Sequence, residues 1–147
     1  MQPGGPPFVA GVMGPKALAR AAQWAVGVDD PTSITAVDAD ALTAQRDKVV
    51  QAWKDAGRSE TPHFSASLWY ALGPDAKQQL GDYVFEYMKI FDEGFARSLA
   101  ETAPVHTPAA LREAMDAARE AGCDEFFLVP TTADPAELDR TREALGV

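Results

Sequence analysis

The sequence has little of what builds disulfides, metal clusters and membrane spans. It contains one cysteine and two histidines in 147 residues. No disulfide can therefore form within the chain, and no paired-cysteine metal motif is present. No apolar run approaches the roughly 20 residues of a membrane-spanning helix, and the N-terminus shows no signal-peptide pattern. We expect a cytoplasmic protein with no metal site and no membrane partner.

Basic residues are scarce relative to acidic ones. Thirteen Lys and Arg stand against 22 Asp and Glu, which gives a formal net charge of -9. Such a charge repels phosphate backbones, so the composition argues against nucleic acid as a partner. The chain also lacks a serine nucleophile elbow, a complete P-loop and a dinucleotide fingerprint. What remains is the composition of an ordinary globular domain, with 46% hydrophobic and 24% charged residues.

Apolar periodicity and turn residues predict alternating strands and helices. The predicted order is a strand at 8–10, a helix from 14 to about 26, a brief strand at 26–28, a helix from 38 to 56, a strand at 62–70, helices between 73 and 99, a helix from 107 to 122, a strand at 125–129 and a helix from 134. This alternation implies βα units in a mainly parallel sheet. Residues 1–7, rich in Pro and Gly, are expected to be a flexible lead-in to a single domain at 8–147.

Four segments carry more specific expectations. Asp29 and Asp30 are assigned to a solvated loop, because no further metal ligand lies near them in sequence. The strand at 125–129 is nearly continuous in apolar residues, which is typical of parallel strands covered on both faces. Residues 134–137 match a capping box for the last helix. The large apolar residues between Tyr83 and Phe95 exceed one helix face, so this segment is either buried on several sides or makes a subunit contact.

The turn after the first strand is the clearest candidate site. Gly11 and Gly14 allow a close approach of the backbone to a ligand, and Pro15 fits the first turn of a helix. The free N–H groups of a helix start attract a phosphate or a carboxylate. From these residues alone, an ordinary β-to-α turn is the favoured alternative.

Two parts of the chain resemble the bacterial luciferase-like flavin-dependent monooxygenases. One is the strand with Ala10-Gly11-x-x-Gly14-Pro15 and the following run Ala19-Arg20-Ala21-Ala22-Gln23-Trp24-Ala25. The other is a helix ending Ala121-Gly122-Cys123-Asp124-Glu125, a strand to Pro130 and then Thr131-Thr132-Ala133-Asp134-Pro135-Ala136-Glu137-Leu138-Asp139. The resemblance extends from about Phe8 to Leu145. Val26-Gly27-Val28 departs from it, because the family usually has Asp-Gly followed by an aromatic residue there.

The resemblance implies part of a (β/α)₈ barrel. A full barrel takes about 250 residues, and the matches fall on the C-terminal half of the family pattern. The implied fold class is therefore α/β, a partial TIM-barrel-like domain of about four parallel strands with covering helices. The implied cofactor is FMN or a deazaflavin, and the implied substrate is a small molecule.

The resemblance also implies which residues contact the cofactor. The phosphate end would lie against the turn after the first strand, mainly on its backbone, and two threonines at the end of the last strand would lie on the same face. The full candidate set is Gly11, Val12, Met13, Gly14, Pro15, Lys16, Thr131 and Thr132. Alternatively, the charge of Lys16 is merely solvated and the two threonines only cap the final helix. No catalytic residue is assigned.

Two functions are compatible with these features. The first is a luciferase-like flavin-dependent oxidoreductase or monooxygenase, of which this chain supplies the C-terminal half. The alternative is a non-catalytic half-barrel that self-associates and serves as a binding or interaction module. The expected partner is a second copy in a homodimer, or a missing N-terminal half. His63 and His106 are expected to be structural or solvent-exposed, and Cys123 is expected to be a small buried thiol.

Overall fold

The computed structural model describes residues 5–147, and its elements follow the predicted alternation. Part of the predicted lead-in at 1–7 lies outside the described residues, and residues 5–7 belong to no helix or strand. None of the helices in the described part is long and apolar enough to cross a bilayer. The elements are β1 (Val9–Gly11), α1 (Pro15–Ala21), β2 (Gly27–Asp30), α2 (Ala39–Asp55), β3 (His63–Tyr70), α3 (Ala76–Met88), α4 (Glu93–Thr102), α5 (Pro108–Glu120), β4 (Glu125–Pro130) and α6 (Ala136–Leu145).

The four strands form one parallel sheet whose spatial order is the chain order, β1-β2-β3-β4. A doubly wound sheet reverses its strand order at a switch point, whereas a (β/α) barrel adds each strand beside the previous one. The sheet therefore has the winding of a barrel and confirms the predicted fold class.

The strands are staggered along the sheet. One row of paired residues contains Gly11, Asp29, Ser65 and Glu125. Gly11 is the last residue of β1, whereas Glu125 is the first residue of β4. Each successive strand thus extends further in the carboxyl direction, and such stagger is what a closed barrel requires of its strands.

Only one face of the sheet is fully covered by helices. Phe64, Ala66, Leu68 and Tyr70 of β3 alternate with Ser65, Ser67 and Trp69, as the period of two predicts. The first set is buried in two apolar clusters with helices α1, α2, α5 and α6. We call this the outer face and the opposite one the inner face.

The inner face is covered at its carboxyl end and open elsewhere. Trp69 of β3 packs against Tyr83 and Tyr87 of α3, with ring centroids 5.2 Å and 4.7 Å away. Further along the inner face, Val9 of β1 and Phe127 of β4 remain 42% and 48% exposed. The prediction that β4 is covered on both faces is therefore wrong, because the α3–α4 hairpin reaches only part of the inner face.

The α3–α4 hairpin also settles one of the alternatives for the segment from Tyr83 to Phe95. Leu80 and Val84 of α3 are buried, but Ile90 and Phe91 at the tip are 75% and 72% exposed. Burial on several sides is therefore wrong for this segment. The subunit contact stays a prediction.

Side chains cap the two helices predicted to start at 38 and 107. Asp38 caps α2 by accepting from the Ala41 N–H at 2.7 Å, and Thr107 caps α5 by accepting from the Ala110 N–H at 3.2 Å. No side chain caps α6 at its N-cap residue Pro135. Of the predicted capping box, Asp134 does bind the helix start, because its Oδ1 accepts from the Ala136 N–H at 3.0 Å. The role predicted for Glu137 is wrong, because its side chain instead binds the loop after β3.

Candidate functional site

The carboxyl ends of the four strands and the loops that follow them form one edge of the sheet. These loops are residues 12–14, 31–38, 71–75 and 131–135. In (β/α) barrels the active site is built at this edge, because each strand leads into a loop free to vary without disturbing the barrel. All the cofactor residues predicted from sequence lie at this edge or on the first turn of the following helix.

The turn from Gly11 to Lys16 is exposed and open. Gly14 has φ of 77°, a conformation that favours glycine, and it occupies the N-cap position of α1 without a side-chain cap. A Cβ added at Gly11 or Gly14 would meet no atom within 4 Å. Met13 is 66% exposed and Lys16 is also exposed. The backbone of this turn is therefore accessible to a ligand.

Helix α1 is shorter than predicted. It ends at Ala21 rather than near Val26, so it has 7 residues. Arg58 explains this end, because its Nη1 donates to the carbonyl oxygens of Ala22 at 3.0 Å and Ala25 at 2.6 Å. Those bonds satisfy carbonyls that the end of a helix leaves without intrahelical partners. Any anion held at the turn would rely on the local N–H groups of the turn and not on a long helix.

Thr131 and Thr132 lie at the same edge but not beside this turn. The row that contains Gly11 reaches β4 at Glu125, six residues before Thr131. Two strands lie between β1 and β4, so the separation across the sheet is roughly 14 Å, and the six residues add roughly 20 Å along β4. One chain therefore does not bring the two predicted sets together.

The two threonines make local hydrogen bonds. The Thr131 hydroxyl donates to the Tyr70 carbonyl at 3.1 Å and accepts from Gln79 Nε2 at 3.3 Å. The Thr132 hydroxyl accepts from the Asp134 N–H at 3.1 Å. Neither threonine is the N-cap of α6, which is Pro135.

Asp29 and Asp30 belong to β2, so their assignment to a solvated loop is wrong. Asp30 is fully buried, and its Oδ2 accepts from the Thr32 hydroxyl at 2.7 Å and from the Ser33 N–H at 3.2 Å. Asp29 points to the inner face, where its Oδ1 accepts from the Ser65 hydroxyl at 2.8 Å. The Asp30 carboxylate fixes the loop after β2, and the Asp29 carboxylate ties β2 to β3.

Glu137 organises the loop after β3, and no local sequence signal revealed it. The residue is 1% exposed, and its carboxylate accepts from the Leu72 N–H and from Arg140 Nη1, the latter at 2.8 Å. Hydrogen bonding to Glu137 raises the pKa of Arg140. A buried carboxylate needs such partners to remain charged. The contact holds α6 against the loop that leads into α3.

His63 and Cys123 lie away from this edge, whereas His106 follows Val105, whose carbonyl accepts from the Ala71 N–H of the loop after β3 at 3.2 Å. His63 begins β3 at the opposite end of the sheet, where its Nε2 lies 3.1 Å from Glu125 Oε2. Cys123 is partly buried before β4, and burial, followed by the charge of Asp30, raises the pKa of its thiol to about 11. Among residues 5–147, no group of three or more His, Cys, Asp or Glu side chains is arranged to hold a metal ion.

Two surface clefts accompany the edge. A cleft of about 570 Å³ between α1 and α2 includes Gly14 and Pro15 in its wall, together with Leu18 and Lys48. A groove of about 790 Å³ runs between α3 and α4 and extends to His106. The first cleft adjoins the candidate turn on the outer side of the sheet, so a ligand at the turn has open space on that side too.

Comparison with known proteins identifies the fold. No protein-family model and no curated protein matches the chain. Among solved structures, an F420-dependent secondary alcohol dehydrogenase in complex with an F420-acetone adduct matches with a TM-score of 0.67 and 16% identity, over 96% of this chain and 48% of that chain. The chain has the fold of half a luciferase-like barrel.

Two further structures agree. The coenzyme F420-dependent tetrahydromethanopterin reductase from Methanopyrus kandleri matches with a TM-score of 0.58 and 18% identity, over 95% of this chain and 49% of that chain. The EDTA monooxygenase from Chelativorans sp. BNC1 matches with a TM-score of 0.60 and 13% identity, over 97% of this chain and 51% of that chain. The half-barrel thus spans about half the length of each of these proteins, and the luciferase-like resemblance seen in the sequence is confirmed for the fold.

Proposed function

We propose that this half-barrel is the cofactor-phosphate-binding part of a luciferase-like oxidoreductase. It binds F420, which is a deazaflavin, or FMN, with the phosphate end at the turn from Gly11 to Lys16. One observation carries the proposal: at the carboxyl edge of a luciferase-like half-barrel, this turn presents two glycines, at each of which an added Cβ would have no atom within 4 Å. The names of the similar structures, two F420-dependent enzymes and a monooxygenase, support the redox class.

The turn suits a phosphate group. All its residues except the partly buried Val12 are exposed, and within the described residues no side chain competes by capping α1. The exposed Lys16 follows Pro15 and can add a positive charge. With a net charge of -9 over the whole chain, the site needs these local donors to overcome general repulsion of an anion.

The cofactor would supply hydride transfer or oxygen activation, and the chain would supply position and surroundings. Residues 11–16 hold the phosphate end and thereby fix the cofactor at the carboxyl edge of the sheet. Trp69, Tyr83 and Tyr87 cover part of the carboxyl end of the inner face with aromatic rings. Glu137 keeps the loop after β3 in place by its bond to Leu72.

A non-catalytic binding module is the second candidate. The apolar side chains of Val9, Ile90, Phe91 and Phe127 are between 42% and 75% exposed, and exposed apolar surface of this kind marks contact with other molecules. Such a module would self-associate without binding a flavin. The two functions therefore differ in a direct binding experiment.

The experiment is a fluorescence titration of F420 and of FMN with the purified protein and two glycine variants. Gly14→Val places a branched side chain in the turn, and we expect it to weaken cofactor binding at least tenfold. Gly57→Val is the matched control, because Gly57 also has a φ of +77° and open space around an added Cβ, with no atom within 4 Å, but lies after α2. Circular dichroism checks that both variants fold. Equal affinities in the two folded variants would remove the assignment of the turn, and no binding by the native protein would favour the non-catalytic module.

A further inference from the structure

In the described part of the chain, the two outer strands of the sheet, β1 and β4, each have one side without a pairing partner; these two sides are the lateral edges of the sheet. Within residues 5–147, β1 pairs only with β2, and β4 pairs only with β3. Unpaired strand edges are templates for pairing with another chain. The inner face next to each edge carries a partly exposed apolar side chain, Val9 at one edge and Phe127 at the other.

The stagger of the strands selects one register for joining the two edges. When a row of paired residues is followed once around a (β/α)₈ barrel, it returns to its first strand displaced by about eight residues, and this displacement is called the shear. Each of two identical halves therefore contributes a displacement of about four residues. Within one chain, the row of paired residues that starts at Gly11 of β1 reaches β4 at Glu125. In a closed barrel, Gly11 of a second copy is therefore displaced about four residues from Glu125, which places it opposite Val129. Displacement in the other direction gives Ala121, which follows α5 and belongs to no strand.

We infer that two copies of this chain close an eight-stranded barrel in which β4 of each pairs with β1 of the other. In this register, Val9–Gly11 of one copy lies beside Phe127–Val129 of its partner. The two junctions are equivalent by a twofold axis along the barrel, so the assembly closes at two copies.

The side chains of the two edges complement one another in this register. The displacement is an even number of residues, so inner-face positions meet inner-face positions. Val9 and Phe127, the two apolar residues left partly exposed on the inner face, become direct neighbours. Gly11 lies next to Val129, which already packs against the cluster around α3, and a residue without a side chain fits beside it.

The α3–α4 hairpin is compatible with closure. The alignment with the F420-dependent alcohol dehydrogenase covers 96% of this chain, so the few unmatched residues cannot account for a whole helical hairpin. The elements of this chain, hairpin included, thus have counterparts in a protein about twice as long, where a second half is also present.

Closure also unites the candidate site, a step that rests on the proposed function. Residues 12–14 of one copy continue beyond Gly11 and come to lie beside Thr131 and Thr132 of the partner. The two sets of predicted cofactor residues, which are separated within one chain, are then neighbours across each junction. The cofactor would therefore contact both copies.

Disulfide trapping tests the register without any cofactor. Cys123→Ala removes the native thiol, and Val9→Cys with Phe127→Cys then supplies one thiol at each edge. Neighbouring strands lie about 4.8 Å apart, which is within the range of about 4.4–6.8 Å between the Cα atoms of a disulfide. The control pairs Val9→Cys with Glu125→Cys, two residues away on the same face, where the Cα separation rises to about 8 Å.

We expect mild oxidation to link the first variant into a species of twice the 15.7 kDa chain mass, at least tenfold more than the control. Light scattering of the unmodified protein at micromolar concentration should give the same doubled mass. A monomer, a ladder of larger species, or equal cross-linking in both variants would overturn the inference. Cross-linking without cofactor binding would refute the proposed function and leave the assembly standing, whereas binding by a monomer would do the reverse.

Discussion

Glu137 and Leu72 are 65 residues apart in the chain, and the Glu137 carboxylate accepts the Leu72 N–H in the buried space under α6. The same carboxylate pairs with Arg140 at 2.8 Å. Through these bonds, the last helix fixes the loop after β3, which leads into the hairpin over the inner face. The carboxyl edge of the sheet thus depends on a contact between its central and final βα units.

Removing this carboxylate should destabilise the fold. Glu137→Ala leaves the Leu72 N–H without its acceptor and Arg140 without its main partner, so we expect a loss of about 2–3 kcal/mol in the free energy of unfolding. Glu137→Gln keeps an acceptor for Leu72 and should lose less. Urea denaturation measures both, and equal losses for the two variants would contradict the role of the Leu72 bond.

Gly27 should tolerate no side chain. A Cβ at Gly27 would lie 2.0 Å from the His63 carbonyl oxygen, an impossible distance that only a shift of the paired strands could relieve. We expect Gly27→Ala to cost at least about 2 kcal/mol or to prevent folding, since backbone rearrangement is among the large mutational effects. Gly73→Ala is the control, because the nearest atom to its added Cβ would lie 3.6 Å away, an ordinary contact, and the change should alter stability by less than about 0.5 kcal/mol. Similar thermal midpoints for both variants would contradict the packing described.

Cys123 should make the fold sensitive to alkaline pH. Burial raises the pKa of its thiol from 9.0 to about 11, so the folded state holds the proton more tightly than the unfolded state. The stabilising contribution is fully present below pH 9.0 and is lost as the pH rises through about 11. Urea midpoints over this range should fall more steeply for the native protein than for Cys123→Ala. Parallel curves would show that the thiol does not titrate as described.

The sequence predicted the elements whose signals are local. The bounds predicted for the helix from 38 to 56 and for the strand at 62–70 each lie within one residue of α2 and β3. The order of strands and helices led to the half-barrel. These features depend on residues within a few positions of one another.

Distant partners determined what the sequence could not predict. The end of α1 depends on Arg58, which follows it by more than 30 residues. Asp30 is buried because Thr32 and Ser33 turn back to it, and Glu137 leaves its expected capping role for Leu72. The separation of Gly11 from Thr131 depends on the stagger of the strands. A pattern of residue types along the chain contains no information on such stagger.

Hydrogen–deuterium exchange with and without F420 or FMN tests the central claim most directly, because it locates the cofactor on the chain. Pro15 has no N–H, so the amides of residues 11–14 and Lys16 report on the turn. We predict that saturating cofactor slows exchange at these amides at least severalfold, while α2 and α5 stay unchanged. Protection confined to the α3–α4 groove, or no protection at residues 11–16 in a protein that binds the cofactor, would contradict the account.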